Sequence, residues 1–235
     1  LSINYFYKPD PDSTFLSKEE SHYASRVLRI KNGDIIHAFD GLGHLQVLEC
    51  KNSKSDKMEV SIVESKKIER LRKHKIHIAI APTKKIDRVE WFIEKSVEIG
   101  IDKISFIKSR HSIRNVIKQE RIDKTILSAA RQSGNFILPE WSPIEPLENF
   151  IHKNLHIEEK YIAHLDNSNP SRQKKFEDIN KNKNEYLILV GPEGDFSSEE
   201  INLVKEVGFK SLSLGHSRLR TETAGIVSCL YLNLI

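Results

Sequence analysis

Tyr186-Leu187-Ile188-Leu189-Val190 runs into the turn Gly191-Pro192-Glu193-Gly194, and Ser211-Leu212-Ser213-Leu214 runs into Gly215-His216-Ser217-Arg218-Leu219-Arg220-Thr221-Glu222-Thr223-Ala224. The first apolar run reads as a buried parallel strand, apolar on both faces. Between the two, Ser197 and Glu200 stand at capping-box spacing ahead of Ile201, Val204 and Val207, so a helix starts there and stops at Gly208. The whole is a strand–helix–strand unit with a polar turn at the C-terminal end of each strand, which is where α/β sheets bind small ligands.

A glycine at a strand end is by itself an ordinary turn; here two such turns are paired. Gly191, Gly194 and Gly215 let backbone approach a ligand closely, and Pro192 stiffens the first turn. Gly-Pro-Glu-Gly matches neither the dinucleotide fingerprint nor the Lys-containing nucleotide loop, and Glu193 would repel phosphate. The same glutamate argues against the backbone-clamping loop of a KH domain.

Leu189-Val190-Gly191-Pro192-Glu193-Gly194, followed one strand–helix–strand later by Leu219-Arg220-Thr221-Glu222-Thr223-Ala224, resembles the RsmE family of the SPOUT superfamily. These are uridine-N3 methyltransferases of ribosomal small-subunit RNA. Val27-Leu28-Arg29 with Gly33, Lys84 with Arg88, Lys95 with Glu98-Ile99-Gly100, and Gln132-Ser133-Gly134 with Pro139 extend the resemblance along the chain. Three places depart from the family pattern. Asp195 stands where a second glycine is usual, His216-Ser217-Arg218 replaces a Gly-Pro-Arg run, and Asn135 stands where an Arg often follows Gln-Ser-Gly. Asp tolerates positive φ better than most residues but less well than Gly.

With 235 residues the chain is longer than one average domain and shorter than two full-sized ones. Cys50 and Cys229 fall inside an expected strand and helix, so neither a disulfide scaffold nor a zinc cluster is expected. The longest apolar run, Ile226 to Ile235, is broken by Ser228 and Asn233 and is too short for a bilayer. With no leader recognised, a cytoplasmic protein without membrane or metal is expected. The net charge of +4 says little, but its distribution says more. From Lys103 to Arg131 eight Lys and Arg face only Glu120 and Asp123, and Lys66 to Lys75 is a second basic run. Together they favour an RNA-facing surface.

Residues 1–70 alternate in strand fashion, at Ile35–Phe39, Leu45–Leu48 and Met58–Val63, with turns at Asn32-Gly33-Asp34 and Asp40–Gly43. A helix opened by a Ser17/Glu20 capping box runs toward Leu28. That describes a small barrel, and the resemblance makes it a PUA-like RNA-binding β-barrel with Arg26 and Arg29 placed to reach a phosphate backbone. From 71 to 235 strands and helices alternate. Ile76–Ile80 is followed by a helix bearing Ile86, Val89, Ile93 and Val97 and ending at Gly100, then by the strand Ile104–Ile107. Tyr161–His164, Leu187–Val190 and Leu212–Leu214 supply further strands, and 166–184 reads as a polar loop with a short helix. The expected class is α/β, a parallel sheet with helices on both faces. The resemblance adds a SPOUT-type C-terminal trefoil knot.

The resemblance also implies S-adenosyl-L-methionine (SAM) as cofactor, bound by the loops Ala163–Leu165, Leu189–Gly194 and Leu214–Ala224. Its candidate ligands are His164, then Leu189, Val190, Gly191, Pro192, Glu193 and Gly194, then Leu214, Gly215, Leu219, Arg220, Thr221, Thr223 and Ala224. Among side chains, Arg220 is the first catalytic candidate, since a guanidinium stabilises a developing anion. Its structural alternative is a bond to Glu222 or to a carbonyl. Glu193 and Glu222 are candidate proton acceptors, although carboxylates at helix N-termini commonly act as caps. Lys84, Arg88, Arg110 and Arg131, with Arg26 and Arg29, are the RNA-binding candidates. Glu98 and Lys95 read as a helical ion pair. Trp91 and Trp141 read as packing residues, and His22, His164 and His216 lack metal-ligand spacing.

The function implied is methylation of a uridine N3 in the 16S ribosomal RNA of the small subunit, by a homodimer. The terminal helix from Gly225 to Ile235 agrees with a dimer, being apolar nearly all round. The alternatives are a SPOUT enzyme methylating a ribose 2′-oxygen of transfer RNA, and a non-catalytic RNA-binding protein.

Overall fold

In the computed structural model, which describes residues 4–164 and 173–235, the run before Gly191 is β9 (Glu185–Val190), buried from Tyr186 onward. Ser197 caps α5 (Ser198–Glu206). Its Oγ accepts from Glu200 N at 3.3 Å, and the Glu200 carboxylate accepts from Ser197 N at 2.9 Å, so the reciprocal box is complete. β10 (Lys210–Leu212) follows and ends two residues before Leu214.

By internal contacts the chain forms two units, Leu1–Leu71 with Ala130–Leu138, and Arg72–Ala129 with Pro139–Ile235. The first holds a four-stranded sheet in the order β1 (Tyr5–Tyr7), β2 (Ile35–Phe39), β3 (His44–Asn52), β4 (Glu59–Lys67). After β1 at one edge, the chain crosses to the other edge, where Val60 N donates to Thr14 O at 2.8 Å and Leu16 N to Met58 O at 3.1 Å. That crossing closes the sheet into a small barrel, filled by Phe6, Leu16, Ala24, Ile36, Leu48, Met58 and Val60. At three residues β1 is too short for alternation to reveal.

The expected helix starts at Ser17, whose Oγ accepts from Glu20 N at 3.2 Å, but α1 (Lys18–His22) widens into a π-helical turn over Tyr23–Val27. Glu20 does not complete the box. Its carboxylate is buried and pairs with Arg131. Residues 130–138 are held against the barrel's own strands: Leu138 N donates to Gly41 O at 2.9 Å, and Phe136 packs on Phe39 and Tyr5.

The second unit is a six-stranded, wholly parallel sheet in the order β10-β8-β9-β5-β6-β7, with β5 Lys75–Ile80, β6 Lys103–Lys108, β7 Glu140–Pro146 and β8 Glu159–Ala163. The expected strands are present, but β7 was not anticipated. Pro143 and Pro146 mask its pattern, and a strand with prolines is tolerated only at an edge, where β7 lies. α2 (Ile86–Ile99) ends at Gly100 with φ 105°. α3 (Gln119–Ser133), α4 (Leu147–Lys153) and α6 (Thr221–Asn233) complete the helices.

Side chains alternate across the pleat. On one face Ala79, Leu187, Leu189 and Ile162 pack with Leu147 and Phe150 of α4 and Val204 of α5. The other face carries α2 and α6, packed so closely that a Cβ on Gly225 would lie 2.6 Å from the Phe92 ring and 3.1 Å from Ile80.

β10 pairs with β8 on one side and with Lys174 on the other, through Lys174 N to Ser211 O and Ser213 N to Lys174 O, both 2.9 Å. The trefoil knot expected from the resemblance falls on the connection between β8 and β9, of which residues 165–172 lie outside the described residues. Within this connection a short 3₁₀ turn covers Phe176–Asp178, while Leu165, expected at the cofactor, lies outside the described residues with 166–172. Among the described residues no helix is long and apolar enough to cross a membrane.

Candidate functional site

The ends of β8, β9 and β10 and the first turn of α6 enclose a cavity of about 260 Å³, slightly below the roughly 300–1,000 Å³ range of small-molecule sites. Ala163 and His164 come from β8, Val190 to Glu193 with Asp195 from the turn after β9, and Leu214, Gly215 and Ser217 to Thr221 from the turn after β10, with Ala224. The two turns that stand out in the sequence therefore face one space, at the carboxyl ends of parallel strands.

The first turn is closed by Asp195 N donating to Pro192 O at 3.0 Å. Asp195 takes φ 61°, a left-handed conformation, and its Oδ1 accepts from Phe196 N at 2.8 Å. Arg218 Nη2 donates to Glu193 O at 3.2 Å and so joins the two turns. Gly215 has φ 118°, and a Cβ there would meet no protein atom within 4 Å; a side chain at this position is opposed by backbone strain rather than by crowding. At Gly191 a built Cβ would lie tightly against the Phe196 ring at 3.1 Å, and at Gly194 against His111 at 3.0 Å. His111 Nδ1 donates to Asp195 O at 3.0 Å.

Leu189, Gly194 and Thr223 do not line the cavity. Leu189 points to the opposite side of the pleat, into the core beneath α4 and α5. Thr223 is off the helix face shared by Arg220, Thr221 and Ala224. Ser217 and Arg218 line it from within the expected loop Leu214–Ala224, though not singled out as ligands, and Asp195 lines it from one residue beyond the expected loop Leu189–Gly194.

Arg220 is exposed, opens α6 as its N-cap residue and lines the cavity. Its guanidinium has no partner among the described residues, so the alternative of a bond to Glu222 or a carbonyl is not what the structure shows. Glu222, expected as a proton acceptor, is turned away from the cavity. Its carboxylate is 5% exposed, faces α2 and lies 3.5 Å from Arg88 Nε. Glu193 sits at the cavity rim with Oε1 accepting from Lys84 N at 3.1 Å, which makes it a brace between loops. The neighbouring carbonyls of Thr83 and Lys84 accept from Arg114, at 3.0 and 2.5 Å; nothing in the sequence singles out Arg114. His164 Nε2 lies 3.0 Å from Ser211 Oγ.

The basic candidates divide. Arg26 and Arg29 are exposed on and just after the π-helical turn, Arg29 with φ 56°, and Lys84 is exposed. Arg110 is exposed beside Glu199 at 3.2 Å. Arg88 and Arg131 are each paired with a buried carboxylate, Glu222 and Glu20, with about a third of the side chain exposed. Burial holds the Glu20 carboxyl above its ordinary pKa against the opposing pull of Arg131. Lys95 pairs with Glu98 at 2.8 Å. Trp141 donates to Asp123 at 2.7 Å and packs edge-on against Phe106, whereas Trp91, expected as a packing residue, is 44% exposed.

The family description of an RNA methyltransferase domain matches residues 69–233, and that of an RNA methyltransferase PUA domain matches residues 16–46. Ribosomal RNA small subunit methyltransferase E of Aquifex aeolicus (strain VF5) is 30% identical over 97% of this chain and 99% of its own. A probable rRNA-methyltransferase from Porphyromonas gingivalis superimposes with a TM-score of 0.91 at 36% identity, covering 99% of this chain and 98% of that one. Ribosomal RNA small subunit methyltransferase E from Neisseria gonorrhoeae, solved bound to S-adenosyl methionine, superimposes with a TM-score of 0.87 at 25% identity, covering 99% and 97%.

Proposed function

Because the chain belongs to the RNA methyltransferase family, we propose that it methylates N3 of a uridine in the 16S ribosomal RNA of the small subunit, with SAM as methyl donor. The observation that carries the reading is the cavity at the ends of β8, β9 and β10, built by the two motifs through which the sequence resembles RsmE.

The cavity suits the donor chemically. Val190, Leu214, Leu219 and Ala224 offer apolar surface to an adenine ring, and the turn backbones offer amide groups to its edge and to ribose hydroxyls. SAM supplies an electrophilic methyl group on sulfonium, so the protein's task is alignment and electrostatics. The uridine imide must lose its N3 proton to become a nucleophile. The unpaired guanidinium of Arg220 favours the imide anion and holds the base in register with the donor. Glu222 is excluded from proton removal by its orientation, and Glu193 is held at the rim by Lys84.

Arg26, Arg29, Lys84 and Arg110 provide exposed positive charge for the RNA backbone. A homodimer completes the reading. Trp91 on α2 and Leu230, Tyr231 and Leu234 at the end of α6 are 43–73% exposed, an apolar set on two helices that pack together, suited to cover by a second copy.

The test is to incubate small-subunit particles from cells lacking this protein with labelled SAM and the purified chain, then digest the RNA to nucleosides. Label in N3-methyluridine of 16S ribosomal RNA is expected. Label in a ribose or in transfer RNA instead would overturn the proposal.

A further inference from the structure

Arg88 sits in the first turn of α2 and Glu222 in the first turn of α6, and their side chains meet in a seam lined by Ile80, Pro82, Thr83, Val89 and Phe92, where the Thr83 hydroxyl donates to Lys85 O at 2.8 Å. We infer that Arg88 is a positioning residue for the cofactor cavity, acting through Glu222 to hold the first turn of α6; the inference rests on SAM occupying that cavity.

The argument begins with the carboxylate. Glu222 Oε1 lies 3.5 Å from Arg88 Nε, and its Oε2 is buried with no hydrogen-bond partner. A carboxylate removed from water and lacking other donors depends on its one cation, and losing that cation leaves an uncompensated buried charge. Such a charge escapes by protonating or by moving to water. Movement is blocked in place, because α6 is pressed against α2 at Gly225, where a built Cβ would lie 2.6 Å from Phe92. The carboxylate therefore reaches water only if the first turn of α6 lifts.

That turn is read from two sides. Arg220, Thr221 and Ala224 face the cavity, whereas Glu222, Gly225 and Cys229 face α2, the last with Sγ 3.9 Å from Ser96 O. Any shift that relieves Glu222 displaces the cavity wall, including the guanidinium proposed to face the base. Arg88 does not line the cavity. It sets the position of the residues that do.

The experiment is calorimetric titration with SAM of the wild-type protein, Arg88→Lys, Arg88→Met, Glu222→Gln and the double variant Arg88→Met/Glu222→Gln. Binding to small-subunit particles is measured in parallel over a range of salt. Arg88→Met should weaken SAM by about tenfold or more, Arg88→Lys should stay within about threefold of wild type, and the double variant should be no weaker than Arg88→Met alone, as for a coupled pair. Affinity for the particles and its salt slope should not change. SAM affinity in folded Arg88→Met equal to wild type would overturn the inference, as would a loss confined to particle binding with a shallower salt slope. If Arg88→Met does not fold, Glu222→Gln decides, since it breaks the pair while leaving only the partly exposed Arg88 guanidinium, not a buried carboxylate, without its partner: weakening of SAM by about threefold or more supports the inference, and unchanged affinity overturns it. Wild-type protein without SAM affinity removes the proposed function and this inference together, whereas wild-type affinity matched by every variant removes this inference alone.

Discussion

Asp195 shows how a side chain is accommodated in a left-handed turn position. At φ 61° it pays a steric cost that its short carboxylate partly offsets by accepting from Phe196 N. Asp195→Val, branched at Cβ and without that acceptor, should lower stability by roughly 1–2 kcal/mol, read as a lower urea midpoint. Gly215 is constrained by conformation alone. Gly215→Val, forced into φ 118°, should weaken SAM binding by about tenfold, equivalent to about 1.4 kcal/mol of strain; calorimetry checks it, and unchanged affinity would mean the turn re-forms at no cost. Arg220→Ala should keep SAM and RNA binding near wild type while kcat falls on the order of 100-fold, as when a group acting on the developing anion is removed. A rise in KM with kcat unchanged would instead make Arg220 a docking residue.

At the scale of elements, a polar row crosses β5, β6 and β7. His77 Nε2 lies 2.8 Å from Ser105 Oγ, and Ser142 Oγ donates to Ser105 Oγ at 2.8 Å. Burial pushes the His77 imidazole down to about 3. Its folded pKa is thus below the unfolded value near 6.5, so the unfolded chain binds the proton first. The neutral ring's stabilisation is complete above about pH 6.5 and is lost progressively as pH falls toward 3, by an amount on the order of 5 kcal/mol. His77→Gln retains a hydrogen-bonding side chain without the titration, and should flatten the decline of the urea midpoint between pH 6.5 and 4. The α2–α6 contact makes a prediction of opposite sign to helix propensity. Gly225→Ala ordinarily stabilises a helix interior by about 1 kcal/mol, but here the added methyl meets Phe92 and Ile80, and destabilisation of about 1–3 kcal/mol is expected.

For the whole molecule, charge and apolar exposure make separate predictions. Charge reversal at Arg26 and Arg29 should weaken RNA binding and flatten its salt dependence while leaving SAM affinity unchanged, because the loss is of phosphate contacts. Replacing Leu230 and Leu234 with Lys should convert a dimer to a monomer by light scattering at micromolar concentration. Wild-type protein that scatters as a monomer would remove the homodimer from the proposal.

Local pattern in the chain was enough to reveal the strand end at Gly191, the Ser197 cap, the stop at Gly100 and the alternation of strands with helices, since each depends on residues within a turn or two, while the strand expected to reach Leu214 ends at Leu212. It also marked both halves of the cavity, because glycine, proline and polar residues cluster wherever backbone must lie against a ligand. Tertiary structure alone decided where the charged side chains point. Glu222 and Arg88, Glu20 and Arg131, and Glu193 and Lys84 come from distant parts of the sequence, and helical spacing identifies a face without naming what packs on it. The pairing of β10 with β8 on one side and Lys174 on the other was likewise invisible to periodicity, because a strand's own residues carry no record of which segments flank it. Sequence thus determined most of the elements, though not β1 or β7, and the place of the site, and long-range packing decided which of its charged residues turn toward the cavity, since burying a carboxylate requires a cation that only the folded chain brings near.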